Sequence, residues 1–471
     1  MRCRSGIIAL RIWAALIFLT GCQDIKKRIP ESSDMIHLIT VDPGHFHAAL
    51  VQKTMYKGVD SAVYVYAPEG PDLELHLDRI KGFNNRQEQP THWFLQVYAG
   101  NDFFHKMLEE KKGNVVVLAG NNRNKTEYIL SSIKEGFHVL ADKPMAINKE
   151  DFLLLEKAFK EAEKSNLLLY DLMTERYEIT TILQRELSMM PGIFGKLVKG
   201  SSENPAVTKE SVHHFFKYVS GNILIRPAWF FDVEQEGEGM VDVMTHLVDL
   251  IQWECYPEQI IDFKKDIKIN DASHCTTPIT LNEFRRITEK EKFPEYLLKD
   301  VVGDTVLNVF CNGQIHYQLK EVHARVSVQW AYKAPEGTGD THYSVMRGTK
   351  ANLEIRQGKE QQFKPVLYII PVDEVPDFES TLQEHISQLA EKYPGIGLKK
   401  TNEEWEVVVP EQYHEGHEAH FARVTEKFIG YFQNKNMPTW EVPNMIAKYF
   451  TTTQALQIAG KSNDNQADSG N

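Results

Sequence analysis

From residue 35 onward, short runs of aliphatic residues alternate with amphipathic stretches, and this rhythm constrains the chain more than any other feature. The runs are Met35 to Val41, Ala62 to Tyr66, Asn114 to Ala119, Phe137 to Leu140 and Leu167 to Tyr170. Helical patterns fill Thr126 to Glu135 and Lys149 to Ser165. A strand that reads as an unbroken apolar run is buried on both faces, as parallel strands covered by helices are. Strands separated by single helices therefore predict an α/β fold with a Rossmann-like, doubly wound parallel sheet over residues 35–175. Such sheets bind ligands beyond the carboxyl ends of their strands.

Those ends supply the first candidates. The turn Asp42-Pro43-Gly44-His45-Phe46 leads from a strand into a helix, the local geometry a dinucleotide pyrophosphate needs. Gly44 stands where backbone must approach the phosphates, with His45 and Phe46 beside it, but the full three-glycine pattern is not intact. A strand-to-helix turn without a ligand would look much the same. Glu69, after the second strand, is placed to bond ribose hydroxyls, and a simple turn carboxylate is the competing reading. Gly120, Asn121 and Asn122 follow the Val/Leu strand, and Lys143 precedes a proline at the end of the next strand.

The chain has 471 residues, too many for one ordinary core, so a second domain is expected over residues 176–460. Alternating segments at 304–310, 322–330 and 342–355 predict a largely antiparallel sheet there. Residues 256–300 are polar and charged and read as an insertion. Within the apolar stretch Met240 to Leu250, Asp242 and His246 have the spacing that stacks side chains on one helix face, with Asp249 one turn on. A lysine, a carboxylate and a histidine can move a proton while a hydride leaves carbon.

In this order the motifs resemble the Gfo/Idh/MocA oxidoreductase family. That family has Glu-Lys-Pro where this chain has Asp142-Lys143-Pro144, and Asp-x-Gly-x-His where it has Asp242 to His246 with Met244 in the middle. The resemblance implies an NAD or NADP cofactor held near Gly44, His45, Phe46, Glu69, Gly120, Asn121, Asn122 and Lys143. It implies a sugar or glycoside substrate oxidised at a hydroxyl, with Arg176, Trp229 and Asp249 as substrate contacts. Lys143, Asp242 and His246 are the catalytic candidates. His246 would take the hydroxyl proton, Asp242 would orient it, and Lys143 would bond the reacting oxygen. Redox-neutral glycoside cleavage by transient oxidation and elimination is an alternative, as is a sugar-binding protein without catalysis.

The ends carry separate expectations. Arg2, Arg4 and Arg11, an apolar run from Ile12 to Leu19, and Leu19-Thr20-Gly21-Cys22 form an export signal of the lipoprotein type over residues 1–21. Cys22 would be lipidated, residues 22–34 would be a tether, and the mature chain would be exported, reaching the membrane, facing the periplasm, through its lipid alone. A homo-oligomer is possible on the second sheet. The net charge of −12 argues against a nucleic-acid partner. His414, His417 and His420 lack zinc-helix spacing and read as helix-start or pocket histidines, so no metal site is assigned. Residues 461–471 read as a disordered tail.

Overall fold

The computed structural model describes residues 35–219, 222–336, 338–372 and 376–468. The expected export segment and Cys22 lie outside them. The first sheet holds β1 (Leu38–Val41), β2 (Ala62–Ala67), β3 (Phe94–Ala99), β4 (Val115–Leu118), β5 (His138–Asp142) and β6 (Leu169–Leu172). All neighbours are parallel and the order is β3-β2-β1-β4-β5-β6. The expected α/β class is therefore present. The order reverses between β1 and β4, and the crevice at their carboxyl ends is where such sheets take ligands. β1 and β4 are buried along their whole length, as their Val/Ile/Leu composition requires. β3 was not expected. It is an edge strand, mostly exposed, so it lacks the continuous apolar run that marks its neighbours.

Five helices cover this sheet: α1 (His47–Val51), α2 (Pro71–Asn85), α3 (Phe103–Glu110), α4 (Lys125–Lys134) and α5 (Lys149–Lys164). Pro71 opens α2 at a position that needs no backbone N–H. Asn148 caps α5 by accepting from the Asp151 N–H.

The second sheet is built from β7 (Val207–Phe216), β10 (Ile267–Thr280), β12 (Val306–Leu319), β13 (Val322–Lys333), β14 (Thr341–Arg347), β15 (Ala351–Arg356), β16 (Val366–Pro371), β17 (Gly397–Thr401) and β18 (Glu404–Val408). Its order is β10-β12-β13-β7-β14-β15-β16-β18-β17, with β11 (Val301–Val302) beside β12. Pairing is antiparallel except between β13 and β7. A small hairpin of β8 (Tyr218–Val219) and β9 (Asn222–Ile223) stands apart. Helices α6 (Ile179–Ser188), α7 (Met244–Cys255), α8 (Phe263–Asp266), α9 (Leu281–Thr288) and α10 (Phe378–Lys392) complete this half. The polar stretch 256–300 is built into the second domain. It carries α8, α9 and β10, and β10 is polar because as an edge strand it buries only scattered positions.

The last helices, α11 (His417–Asn434) and α12 (Glu441–Asp468), cross back to the first sheet. Phe421, Val424, Phe428, Met445 and Tyr449 sit in the same core as β1, β4 and β5. The Rossmann-like half is therefore completed by residues from the far end of the chain. α12 remains helical to Asp468, so the tail expected from residue 461 begins as helix.

Candidate active site

β5 ends in Asp142 and Lys143 at the sheet's carboxyl edge. They meet the β1–α1 turn on one side and the start of α7 on the other. These elements border a cavity of about 850 Å³ whose walls include His45, Phe46, His47, Lys143, Asp242 and His246. Three sequence candidates for catalysis are thus brought together, but not in the expected pairing. The Lys143 ammonium donates to the Asp242 carboxylate. Asp242 lies in the turn before α7 rather than on it, and it holds Lys143, not His246. His246 occupies the first turn of α7, and its buried Nδ1 has no hydrogen-bond partner.

Burial alone would lower the Lys143 pKa, but the carboxylates of Asp242, Asp142 and Glu236 outweigh it and hold the pKa above that of an ordinary lysine. Lys143 is therefore a cation and a hydrogen-bond donor rather than a base. Burial pushes the His246 pKa down to about 4, partly opposed by Glu175 and reinforced by Lys143. At neutral pH its imidazole is unprotonated and able to accept a proton. Glu236, which has no counterpart among the sequence candidates, also borders the cavity. Burial, then the charge of Asp242, lifts its pKa well above the usual carboxylate range.

Asp142 is the centre of a second group. Its Oδ2 hydrogen-bonds to His47 Nδ1 at 2.9 Å and lies 3.6 Å from His45 Nδ1. The buried Lys125 ammonium donates to its backbone carbonyl at 3.1 Å. Burial is the first cause that lowers both the His45 and His47 pKa values. In a three-glycine turn the last glycine would stand at residue 47. Here that residue is an imidazole, a departure readable in the sequence as His45-Phe46-His47 directly after a strand.

The phosphate end of the crevice is closed. A Cβ on Gly44 would lie 3.0 Å from the Trp229 ring and 3.1 Å from Asp72 Oδ2. Trp229 covers the turn and donates to Asp72 Oδ2 at 2.7 Å. A Cβ on Gly120 would meet the Asp42 carbonyl at 1.9 Å. Both glycines serve contacts within the chain. Asn121 donates to Gln235 at 2.8 Å and Asn122 to the Glu236 carbonyl at 2.7 Å, tying the β4–α4 loop to the second domain. Glu69 is exposed beyond β2, outside the cavity. Burial, then Asp72, raises the Asp42 pKa to about 6. Of the expected cofactor contacts, His45, Phe46 and Lys143 border the cavity, while Gly44, Glu69, Gly120, Asn121 and Asn122 do not. The reactive end of a nicotinamide nucleotide fits the residues present. Its pyrophosphate does not fit over Gly44 with Trp229 seated and two carboxyl groups beside it.

The expected substrate contacts are elsewhere. Arg176 is buried and donates to both Asp249 oxygens, at 2.6 and 2.7 Å, and to Glu441 at 3.2 Å. Asp249 also accepts from Lys448 at 2.8 Å. Trp229 packs on Gly44. None of the three borders the cavity. Their partners come from α12 and the β1–α1 turn, distances that spacing along the chain cannot reveal. The pocket-histidine reading of His414, His417 and His420 agrees with the structure: all three line the cavity at the start of α11.

Residues 183–460 match the family described as "Putative oxidoreductase C terminal domain". A crystal structure of a "putative oxidoreductase" from Parabacteroides merdae ATCC 43184 is 53% identical, with a TM-score of 0.89, covering 91% of this chain and 98% of that one. Levoglucosan dehydrogenase in complex with NADH and L-sorbose superposes with a TM-score of 0.58 at 13% identity, over 90% of this chain and 97% of that one. GenD2 from gentamicin A biosynthesis, in complex with NAD, gives 0.55 at 14% identity, over 92% and 98%. The last two share the fold. No curated protein matches the chain.

Proposed function

The chain belongs to the oxidoreductase family defined by this C-terminal domain, and we propose that it acts on a hydroxyl-bearing carbon of a sugar or glycoside held in the cavity. The observation that carries this reading is the Lys143–Asp242 ion pair at the wall of the cavity that His246, with its Nδ1 lacking a hydrogen-bond partner, also lines. Asp242 fixes the Lys143 ammonium, which binds the reacting oxygen and favours its alkoxide character. Neutral His246 takes the hydroxyl proton at Nδ1 or Nε2. NAD or NADP is the redox partner that the fold implies, and when bound it supplies the hydride acceptor. Because its pyrophosphate does not fit with Trp229 seated, what the chain's own residues contribute is proton chemistry alone.

A second reading is favoured by that closed phosphate end. A sugar already carrying a ketone has an acidified neighbouring C–H, which His246 can remove with loss of the adjacent glycosidic oxygen and no net redox change. The first reading yields a ketone product and the second a free leaving group with an unsaturated keto sugar. Product analysis by NMR on a panel of glycosides and their keto derivatives, with assay of nicotinamide released on denaturation, separates the two. Absence of turnover together with absence of released or titratable nicotinamide overturns both and leaves a sugar-binding protein. The basic and apolar start carries a further proposal: export, with a lipid on Cys22 as the anchor. Mass spectrometry of the mature N-terminal peptide tests it, and an unmodified Cys22 overturns it.

A further inference from the structure

We propose that His45, His47 and Asp142 bind a divalent transition-metal ion at the edge of the cavity. One ligand atom from each lies within 4.8 Å of the others, and among the described residues this is the group of His, Cys, Asp and Glu side chains close enough to share an ion. Metal–nitrogen and metal–carboxylate bonds of about 2.0–2.2 Å place donor atoms roughly 3–3.5 Å apart. The His47–Asp142 and His45–Asp142 separations of 2.9 and 3.6 Å bracket that spacing. Two imidazoles and one carboxylate form the donor set of open zinc and non-haem iron sites, which leave positions free for a substrate oxygen.

A buried histidine–aspartate hydrogen bond would explain His47 alone. It leaves two things unexplained. Asp142 is 2% exposed, yet its Oδ1 has no partner. His45 Nδ1 stands 3.6 Å from the same carboxylate without a hydrogen bond to it, accepting only a long 3.4 Å bond from the His47 backbone N–H. An ion on these three groups engages all of them. His45 stands in the turn after β1, His47 opens α1 and Asp142 ends β5; β1 and β5 are separated in the sheet only by β4. His45 and His47 border the cavity, so the free positions of the ion face the space that holds Lys143 and Asp242. Of the nearby cations, Lys143 is paired with Asp242, and Lys125 donates to the Asp142 backbone carbonyl, not to its carboxylate. The inference rests on the three donors and not on the sugar reading.

The test uses the whole purified chain, stripped with a chelator and titrated with Co(II), then Zn(II). The expected result is one Co(II) per chain, visible ligand-field absorption, and a rise in thermal midpoint that grows with cation concentration. His45→Ala, His47→Gln and Asp142→Asn should each weaken binding by roughly 100-fold or more, beyond the 10–100-fold typical of outer-shell partners. Asp142→Asn keeps the side-chain shape, so its loss of absorption with an unchanged circular-dichroism spectrum separates a ligand from a folding role. His414→Ala should bind as the wild type does. No absorption and no thermal shift at millimolar cation overturns the proposal. So does binding that survives all three ligand substitutions or that is lost in His414→Ala.

Discussion

The charges buried between the two domains and the charges around the cavity are bonded differently. In the first group every carboxylate accepts from at least two side chains. Asp249 accepts from Arg176 and Lys448, Asp171 from Lys448 and Tyr449, and Glu441 from Arg176, Tyr170 and Tyr431. Burial would raise the Asp249 pKa, but the two cations hold it well below the ordinary range. In the second group Asp142 Oδ1 and His246 Nδ1 are left open, and burial beside Asp242 raises the Glu236 pKa. A buried polar atom without a partner costs free energy, so a network that leaves such atoms at a cavity wall is suited to a ligand. The completed network is suited to holding two domains together.

The comparison breaks first, and hardest, at Arg176. Arg176→Met leaves Asp249 and Glu441 buried with fewer cations and should cost about 3–5 kcal/mol, a large part of a typical total of about 5–15 kcal/mol. Urea unfolding reads this directly; a change under about 1 kcal/mol would mean that the interdomain charges do not hold the fold. Next come Lys143→Met and His246→Asn. Each should cut turnover by roughly 10²–10⁴ while the unfolding midpoint stays near that of the wild type. If Lys143→Met destabilises as much as Arg176→Met, the distinction between the two groups fails.

A smaller effect concerns pH. The folded-state pKa of His246 is about 4, below the ordinary 6.5. The unfolded chain therefore binds more protons between those values, and the stabilising contribution of neutral His246 is complete above 6.5 and lost as pH falls toward 4. The lost contribution is about 3 kcal/mol at most. Subtracting His246→Asn from wild type in urea titrations across this window isolates it, and a flat difference would contradict the burial of an uncharged imidazole. Smallest is Trp229→Phe, which shrinks the ring over Gly44 and deletes the bond to Asp72 that holds it seated. It should cost about 1 kcal/mol of stability and tighten NADH binding, measured by nucleotide fluorescence. Weaker binding would mean that Trp229 is a cofactor contact rather than a cover.

The parallel sheet is legible in the chain because β1, β4, β5 and β6 are short and nearly wholly apolar, a signature of burial on both faces. β3 escapes notice since an exposed edge has no such signature. Lys143, Asp242 and His246 are recognisable from motif order. Their bonding is not, because the helix that carries His246 starts after Asp242. Arg176 and Asp249 look like substrate contacts until α12 supplies Lys448 and Glu441, partners 199 and 265 residues away. His47 and Glu236 act through neighbours that only the assembled sheet edge provides.

The return of α12 has a consequence for how the protein is made. Tyr449 and Asp171 hydrogen-bond across 278 residues, and Lys448 neutralises the same carboxylate. A nascent chain therefore carries β1 to β6 for most of its synthesis with Asp171 unmatched and part of the core uncovered. Contacts so distant in sequence form late and slowly. The N-terminal half cannot mature as an independent module ahead of the rest, so truncation before α12 should leave it dependent on chaperones and open to proteases.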